Sequence, residues 1–276
     1  MNLHLYGFFI GLGILGAVEI SEKARKLLAI RHRPYAKFSV WKTFWWAIIP
    51  AIIGARLYHV LDFWEYYASF PQKIWATWEG GMGIWGGIIG GTIGLWGYAF
   101  WLSRDKFVLR KFSIKIPNYQ LPITNFLLLA DLAALGLPLG QAIGRLGNFF
   151  NQELYGLPTS LPWGIYIDPQ NRLAGFEKFT HFHALFAYEA VWDLIIFITI
   201  IIFIKIILKA NRKTFQPGLP FFTYLGLYGL GRFLLEFLRI NPWRIGVLTV
   251  AQWLSLIAII LSTIYSTKVW ILTRKP

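Results

Sequence analysis

The sequence contains no cysteine, which removes disulfides, thiolate metal sites and a protein-borne cysteine nucleophile together. Any sulfur chemistry must arrive with a substrate. Charge is also scarce, at 14% of 276 residues, and acidic residues number 13 against 27 basic ones. The net charge of +14 does not point to nucleic acid, because the basic residues fall in short loops between apolar runs and form no continuous face. Heptads, low-complexity tracts and a convincing internal repeat are missing too. An inverted-repeat transporter would be expected to show internal symmetry. The first apolar run starts almost at Met1 with no basic region before it and no Ala-x-Ala-like cleavage site. It is expected to be a retained span and not a removed signal peptide.

What is present is apolar. The hydrophobic fraction is 56% and the mean hydropathy +0.51, values that belong to a bilayer-embedded chain. Aromatic residues make up 18% and cluster near the ends of apolar runs, where amphipathic rings settle at headgroup level. Runs of about 20 apolar residues, enough to span a bilayer, occur near Leu3 to Ile20, Phe44 to Leu61, Gly83 to Leu102, Asn125 to Ile143, Tyr188 to Leu208, Leu219 to Leu238 and Gly246 to Tyr265. The fold class expected is all-α, a polytopic bundle of about seven transmembrane helices.

Lys and Arg in short loops favour the cytoplasmic side. They collect after the first span (Lys23, Arg25, Lys26, Arg31, Arg33, Lys37, Lys42), the third (Arg104, Lys106, Arg110, Lys111, Lys115) and the fifth (Lys209, Arg212, Lys213). The N-terminus is therefore expected outside and the C-terminus, with Lys268, Arg274 and Lys275, inside. Residues 148–187 hold Pro158, Pro162 and Pro169 among turn-type clusters and are too polar to span. They are expected to form a small extracytoplasmic head on a single membrane domain, 1–276.

Charged groups within a bilayer are costly and mark functional candidates. The first set is Arg145, Asn148, Asn151 and Glu153 at the outer end of the fourth span, flanked by Gly144, Gly147 and Gly156. An arginine fork holds phosphate or carboxylate, asparagines add neutral donors, and Glu153 can orient the arginine or accept a proton. The plain alternative is a snorkelling arginine beside a helix-capping asparagine. The second set is Tyr228, Arg232, Glu236 and Arg239, at i, i+4, i+8 and i+11, along one face of the sixth span. A structural ion pair that fixes packing is the alternative there.

The glycine-rich run Gly80 to Gly91 permits close approach of a helix or lipid and lacks the lysine of a phosphate loop. His183, near Tyr188 and Glu189, is a possible acid or base. His181, His183 and Glu189 do not form a metal-ligand pattern. Tyr6, Arg56 and Asp131 are further in-membrane polar groups, each equally readable as a helix–helix hydrogen bond or a substrate contact.

The segment Gly144-Arg145-Leu146-Gly147-Asn148-Phe149-Phe150-Asn151-Gln152-Glu153-Leu154-Tyr155-Gly156 closely resembles the signature of the prolipoprotein diacylglyceryl transferases. His4-Leu5-Tyr6-Gly7, Gly54-Ala55-Arg56-Leu57-Tyr58, Gly86-Gly87, Tyr188-Glu189, and Tyr228 with Arg232, Glu236 and Arg239 follow the family in order along nearly the whole chain. The resemblance implies a bacterial cytoplasmic-membrane enzyme. It would move the diacylglyceryl group of phosphatidylglycerol onto the lipobox cysteine of preprolipoproteins and release glycerol phosphate, without metal or organic cofactor. Its partners would be phosphatidylglycerol, lipobox peptides and membrane lipid, and no nucleic acid.

On this resemblance Arg145 and Arg232 stabilise the departing phosphate, and Asn148 adds a donor. Glu153 and Glu236 position the arginines, and Tyr6 and Tyr228 place the headgroup, with Asn151, Gly156 and Arg239 also on the lipid. The sequence departs from the family where many members carry a histidine before the paired glycines. Trp85 stands there, and an indole N–H donates but takes no proton. His183 keeps the place of a second family histidine, with Ala184-Leu185-Phe186 in place of the usual Pro-Ser-Gln. A thiol of reference pKa about 8.5 beside arginine can supply thiolate without a dedicated base. The competing readings are a non-catalytic lipid-binding relative, favoured by Trp85, and a small-solute transporter.

Overall fold

The computed structural model describes residues 3–31, 33–111, 122–209 and 216–274. Lys115, Arg212, Lys213 and Lys275, used above for orientation, lie outside the described residues. Helices occupy each expected apolar stretch: α1 (Leu3–Arg31), α2 (Val40–Asp62), α4 (Ile84–Lys111), α5 (Pro122–Phe150), α6 (Leu185–Lys209), α7 (Leu219–Leu235) and α8 (Val250–Arg274), with a short α3 (Trp64–Ser69) between α2 and α4. Four of them, at Leu5–Ile30, Val40–Asp62, Pro122–Phe150 and Val250–Ile271, are long and apolar enough to cross a membrane. Large apolar side chains such as Trp45, Ile49, Ile53 and Leu57 on α2 face outward, the inverse of a water-soluble surface. The chain is an all-α membrane protein.

Several boundaries differ from the sequence expectation. The third apolar run continues past Leu102 to Lys111, so Arg104, Lys106, Arg110 and Lys111 are helical, and residues 148–150 and 185–187 of the expected head belong to α5 and α6. The first helix runs on past Ile20 to Arg31, so Lys23, Arg25 and Lys26 are helical and not in a loop. Good helix formers fill that stretch, and Glu22 pairs with Arg25 one turn on at 2.5 Å. The sixth apolar run stops being α-helical at Leu235 and continues as a 3-10 turn, Glu236–Leu238, after which Arg239 is extended at φ −76, ψ 141. Arg239 therefore leaves the helical face that its spacing suggested.

The described chain forms two compact units, Met1–Arg31 with Asp131–Pro276, and His32–Ala130. In the second, α2 and α4 pack through small residues. Cβ atoms on Gly86, Gly90 and Gly94 would clash with the backbone oxygens of Gly54, Pro50 and Trp46. The four-residue period on α4 meets an equal, antiparallel period on α2, so the helices touch backbone to backbone. The glycine run is thus a packing seam. Arg56, 7% exposed, donates from all its N–H groups to five carbonyls of the α2–α4 connection: Ile74, Lys73, Ala76, Gly80 and Gly81. Its plane also lies 5.2 Å from the Tyr67 ring centroid. No donor is left for a ligand, and Arg56 is a structural clamp.

In the first unit, Asp131 accepts from the backbone N–H groups of Gly218 (2.7 Å) and Phe221 (3.0 Å) at the start of α7. It satisfies orphan donors of that helix, the helix-to-helix bond that was one of its two readings. Between α5 and α6 lies an irregular segment with the hairpin β1 (Ile165–Tyr166) and β2 (His181–Phe182). Its core is Tyr155, Ile167 and Phe182, with Ile165, Phe176 and Ile240 packed around them.

Candidate active site

The last turns of α5 carry Gly144, Arg145, Gly147 and Asn148. Arg145 Nη2 lies 2.7 Å from Glu189 Oε2 on α6. The same carboxylate meets Arg232 Nη1 at 3.4 Å and Arg239 Nη2 at 3.2 Å through its other oxygen. Glu236 pairs with Arg232 at 2.7 Å and with Arg239 Nε at 3.5 Å. Three guanidiniums thus share two carboxylates and keep one positive charge in excess. Glu189 is 8% exposed and Glu236 4%, so this charge sits where water screens it weakly. The two shorter ion pairs lack hydrogen-bond alignment, and Arg145 Nε and Arg239 Nε are buried with no hydrogen-bond partner among the described residues. Unfilled buried donors are costly, and an anion or water would satisfy them.

Arg145 borders two spaces. One, about 10 Å³, is lined by Arg145, Glu189, Trp192, Asp193, Tyr228 and Arg232, at the lower limit for one water. The other, about 290 Å³, lies between α1 and α5. Ile10, Gly13, Ile14, Ala17 and Leu137 give it an apolar length, while Tyr6, Gln141, Arg145 and Asn148 form a polar border. Tyr6 fits because Gly147 has no side chain: a Cβ there would come 2.7 Å from the ring.

The segment beyond the helix is held by its own side chains. Gln152 and Leu154 adopt left-handed backbone, with φ 51 and 56, a strained choice that their surroundings enforce. Gln152 accepts from Asp168 N at 2.8 Å and donates to the Asp168 carboxylate at 2.9 Å. Tyr155 donates to Asn171 O and accepts from Leu173 N. Burial pushes its phenol up, against the opposing pull of Leu173 N–H and Arg172, which keeps the donating proton in place. Gly156 forms an antiparallel bridge with Arg239, and a Cβ there would lie 2.7 Å from Leu238 O. The bridge ties the signature segment to the arginine that left the α7 face.

Sequence reasoning assigned Glu153 to the arginines. The carboxylate found on Arg145 is Glu189 instead, and Glu153 accepts from Asn148 Nδ2 at 2.8 Å. The five-residue step from Asn148 turns the chain back at the helix end, so Glu153 reaches its own segment's asparagine. The Asn151 side chain makes no hydrogen bond among the described residues. Tyr228 stands beside Arg145 and Arg232 and stacks on Tyr224 with centroids 5.7 Å apart. Asp193 was missing from the sequence-derived site, and Glu189 entered it only as a neighbour of His183 and Tyr188. The readable signal was two carboxylates one turn apart in an otherwise apolar span.

His183 stands next to α6, where Trp163 Nε1 donates to the Tyr188 oxygen at 2.9 Å and His183 Nδ1 lies 3.3 Å from the same oxygen. A phenol oxygen can accept a second hydrogen bond or give its own proton, so either tautomer of His183 fits this contact.

The family model of prolipoprotein diacylglyceryl transferase matches residues 1–267. The chain belongs to that family. It is 36% identical to the phosphatidylglycerol--prolipoprotein diacylglyceryl transferase of Trichormus variabilis, over 100% of this chain and 88% of the relative. To the transferase of the same name from Fervidobacterium nodosum it is 36% identical, over 94% of this chain and 78% of the relative. To that from Cutibacterium acnes it is 37% identical, over 90% and 77%. These matches span 90–100% of this chain and 77–88% of each relative, and the transferase reading stands over transport or passive lipid binding.

Proposed function

We propose that this chain transfers the diacylglyceryl group of phosphatidylglycerol to the lipobox cysteine thiol of preprolipoproteins. The observation that carries the reading is Arg145, which keeps a buried Nε unpartnered and borders a cavity that is apolar along α1 and polar where Tyr6, Gln141 and Asn148 line it. An acyl-bearing phosphodiester has that same division. The bond formed is sulfur to the glycerol carbon; the bond broken is that carbon to its phosphate oxygen, which leaves with the electron pair, and the thiol's proton ends on the released glycerol phosphate, a monoanion. Arg145 and Arg232 stabilise charge growing on the leaving oxygen. Arg239 and Asn148 add donors, and Glu189 and Glu236 hold the guanidiniums in place. Tyr6, Tyr228, Asn151 and Gly156 shape the headgroup pocket.

The membrane setting that goes with this is a single domain of seven spans in the bacterial cytoplasmic membrane, N-terminus outside, with residues 148–187 as an extracytoplasmic head. Basic residues that collect after the odd-numbered spans support that orientation. The test incubates the purified protein with phosphatidylglycerol and a lipobox peptide. Thioether-linked diacylglyceryl peptide and glycerol phosphate are expected; no product, beside an active relative, rejects the assignment.

A further inference from the structure

Asp193 has no role in the mechanism above, yet it is 2% exposed and lies on α6 one helical turn from Glu189, on the same face. It borders the small space shared by Arg145, Glu189, Trp192, Tyr228 and Arg232. Unlike Glu189 and Glu236, it forms no ion pair or hydrogen bond among the described residues, although it stands in the field of Arg145. The ionisable groups that face it are Arg145 from α5, Glu189 from its own helix, and Tyr224, Tyr228 and Arg232 from α7, with Glu236 and Arg239 behind them. A buried carboxylate needs compensation. The single positive charge that Glu189 and Glu236 leave uncovered on the three arginines supplies it.

That same charge is the one a phosphodiester, a monoanion at all working pH, would use. The cluster has room for one further negative charge and not for two in a weakly screened interior. Resting on the function proposed above, we propose that Asp193 is the resident counter-anion of the phosphate site: ionised while the site is empty, it takes up one proton when the lipid phosphate settles on Arg145. The arginines then pass from one anion to another at constant net charge, and release of the product returns the proton. Asp193 is a positioning residue in this scheme, since it acts through Arg145 and does not touch the lipid.

The experiment measures phosphatidylglycerol binding to the full-length purified protein in detergent by titration calorimetry, across pH and in buffers of different ionisation enthalpy. Wild type is expected to take up close to one proton per lipid bound. Its affinity should fall as pH rises, by up to about tenfold per unit while the empty site has lost the proton and the occupied site keeps it. Asp193→Asn, fixed in the neutral form, should bind at least as tightly, with a flat pH profile and no proton uptake, and Asp193→Glu should restore the uptake. Wild-type binding without proton uptake, or an Asp193→Asn protein that retains it, overturns the inference and leaves the function intact. Failure of wild type to bind phosphatidylglycerol at any pH, with diacylglycerol as the phosphate-free control, removes the function and this inference together.

Discussion

Arg145 and Glu189 meet at 2.7 Å between α5 and α6, and the carboxylate that holds the arginine is the one on which Arg232 and Arg239 also converge. Glu189 thus gathers cationic groups from two distant stretches of chain, the end of α5 and the end of α7. On the function proposed above, a phosphate would meet an assembly that already exists, so little of its binding free energy would be spent on ordering side chains.

Removing the guanidinium at the centre of this assembly should remove transfer. Arg145→Ala is expected to lower kcat/KM for thioether formation by about 10²–10³-fold or more, the scale for deleting a donor aimed at a developing oxyanion. Trp85→Ala, measured in the same assay, should keep detectable transfer, because the indole contributes no proton acceptor. Equal activity of Arg145→Ala and wild type would end the case for phosphate binding at Arg145.

Glu189→Gln leaves three like charges with Glu236 as their one paired carboxylate and Asp193 unpaired beside them. Breaking a buried pair in this way costs about 3–5 kcal/mol, so the melting temperature should drop clearly. Added inorganic phosphate should return part of the loss by taking the vacated anion place, and should do less for wild type. The readout is thermal unfolding in detergent with and without phosphate.

Two neighbouring glycines on α4 should respond differently to one added methyl group. A Cβ at Gly86 would strike the Gly54 backbone, whereas at Gly87 its nearest neighbour is 3.7 Å away, an ordinary contact. Gly86→Ala is expected to destabilise by about 1–3 kcal/mol and Gly87→Ala to change little. Comparison of their melting temperatures checks the seam; equal effects would contradict it.

Arg56→Lys keeps the charge but loses the planar fork that serves five carbonyls. Lower thermal stability is expected, by about 1–3 kcal/mol for each carbonyl left without a donor, with an unchanged KM for phosphatidylglycerol in the folded fraction. A raised KM at unchanged stability would return Arg56 to the binding residues.

Much of the architecture was open to one-dimensional reading. Apolar runs of spanning length predicted where each long helix lies, because a bilayer demands both length and internal hydrogen bonding of the backbone. The signature from Gly144 to Gly156 marked the site because arginine, asparagine and glutamate are expensive beside a span. Helix ends were less legible. The basic residues after Ile20 read as loop, yet they carry good helix propensity and simply extend α1.

The pairing of charges was the part that sequence could not deliver. Spacing alone allowed Glu153 to serve Arg145, since both belong to one short segment, but the turn after Phe150 carries Glu153 onto Asn148. The partner came from Glu189, 44 positions further along the sequence from Arg145. Arg56 and Arg145 look alike as lone arginines at glycine-flanked positions; one is consumed by five carbonyls and the other keeps a buried donor unfilled. Composition and pattern by themselves determined the solvent of this protein, its helices and its family, because those follow from local hydrophobicity and contiguous motif. Which arginine keeps a buried donor unfilled, which carboxylate pairs with it and which carboxylate is buried without a pair were decided only by the tertiary structure, because ionic pairing depends on distance in space and on the water excluded around it.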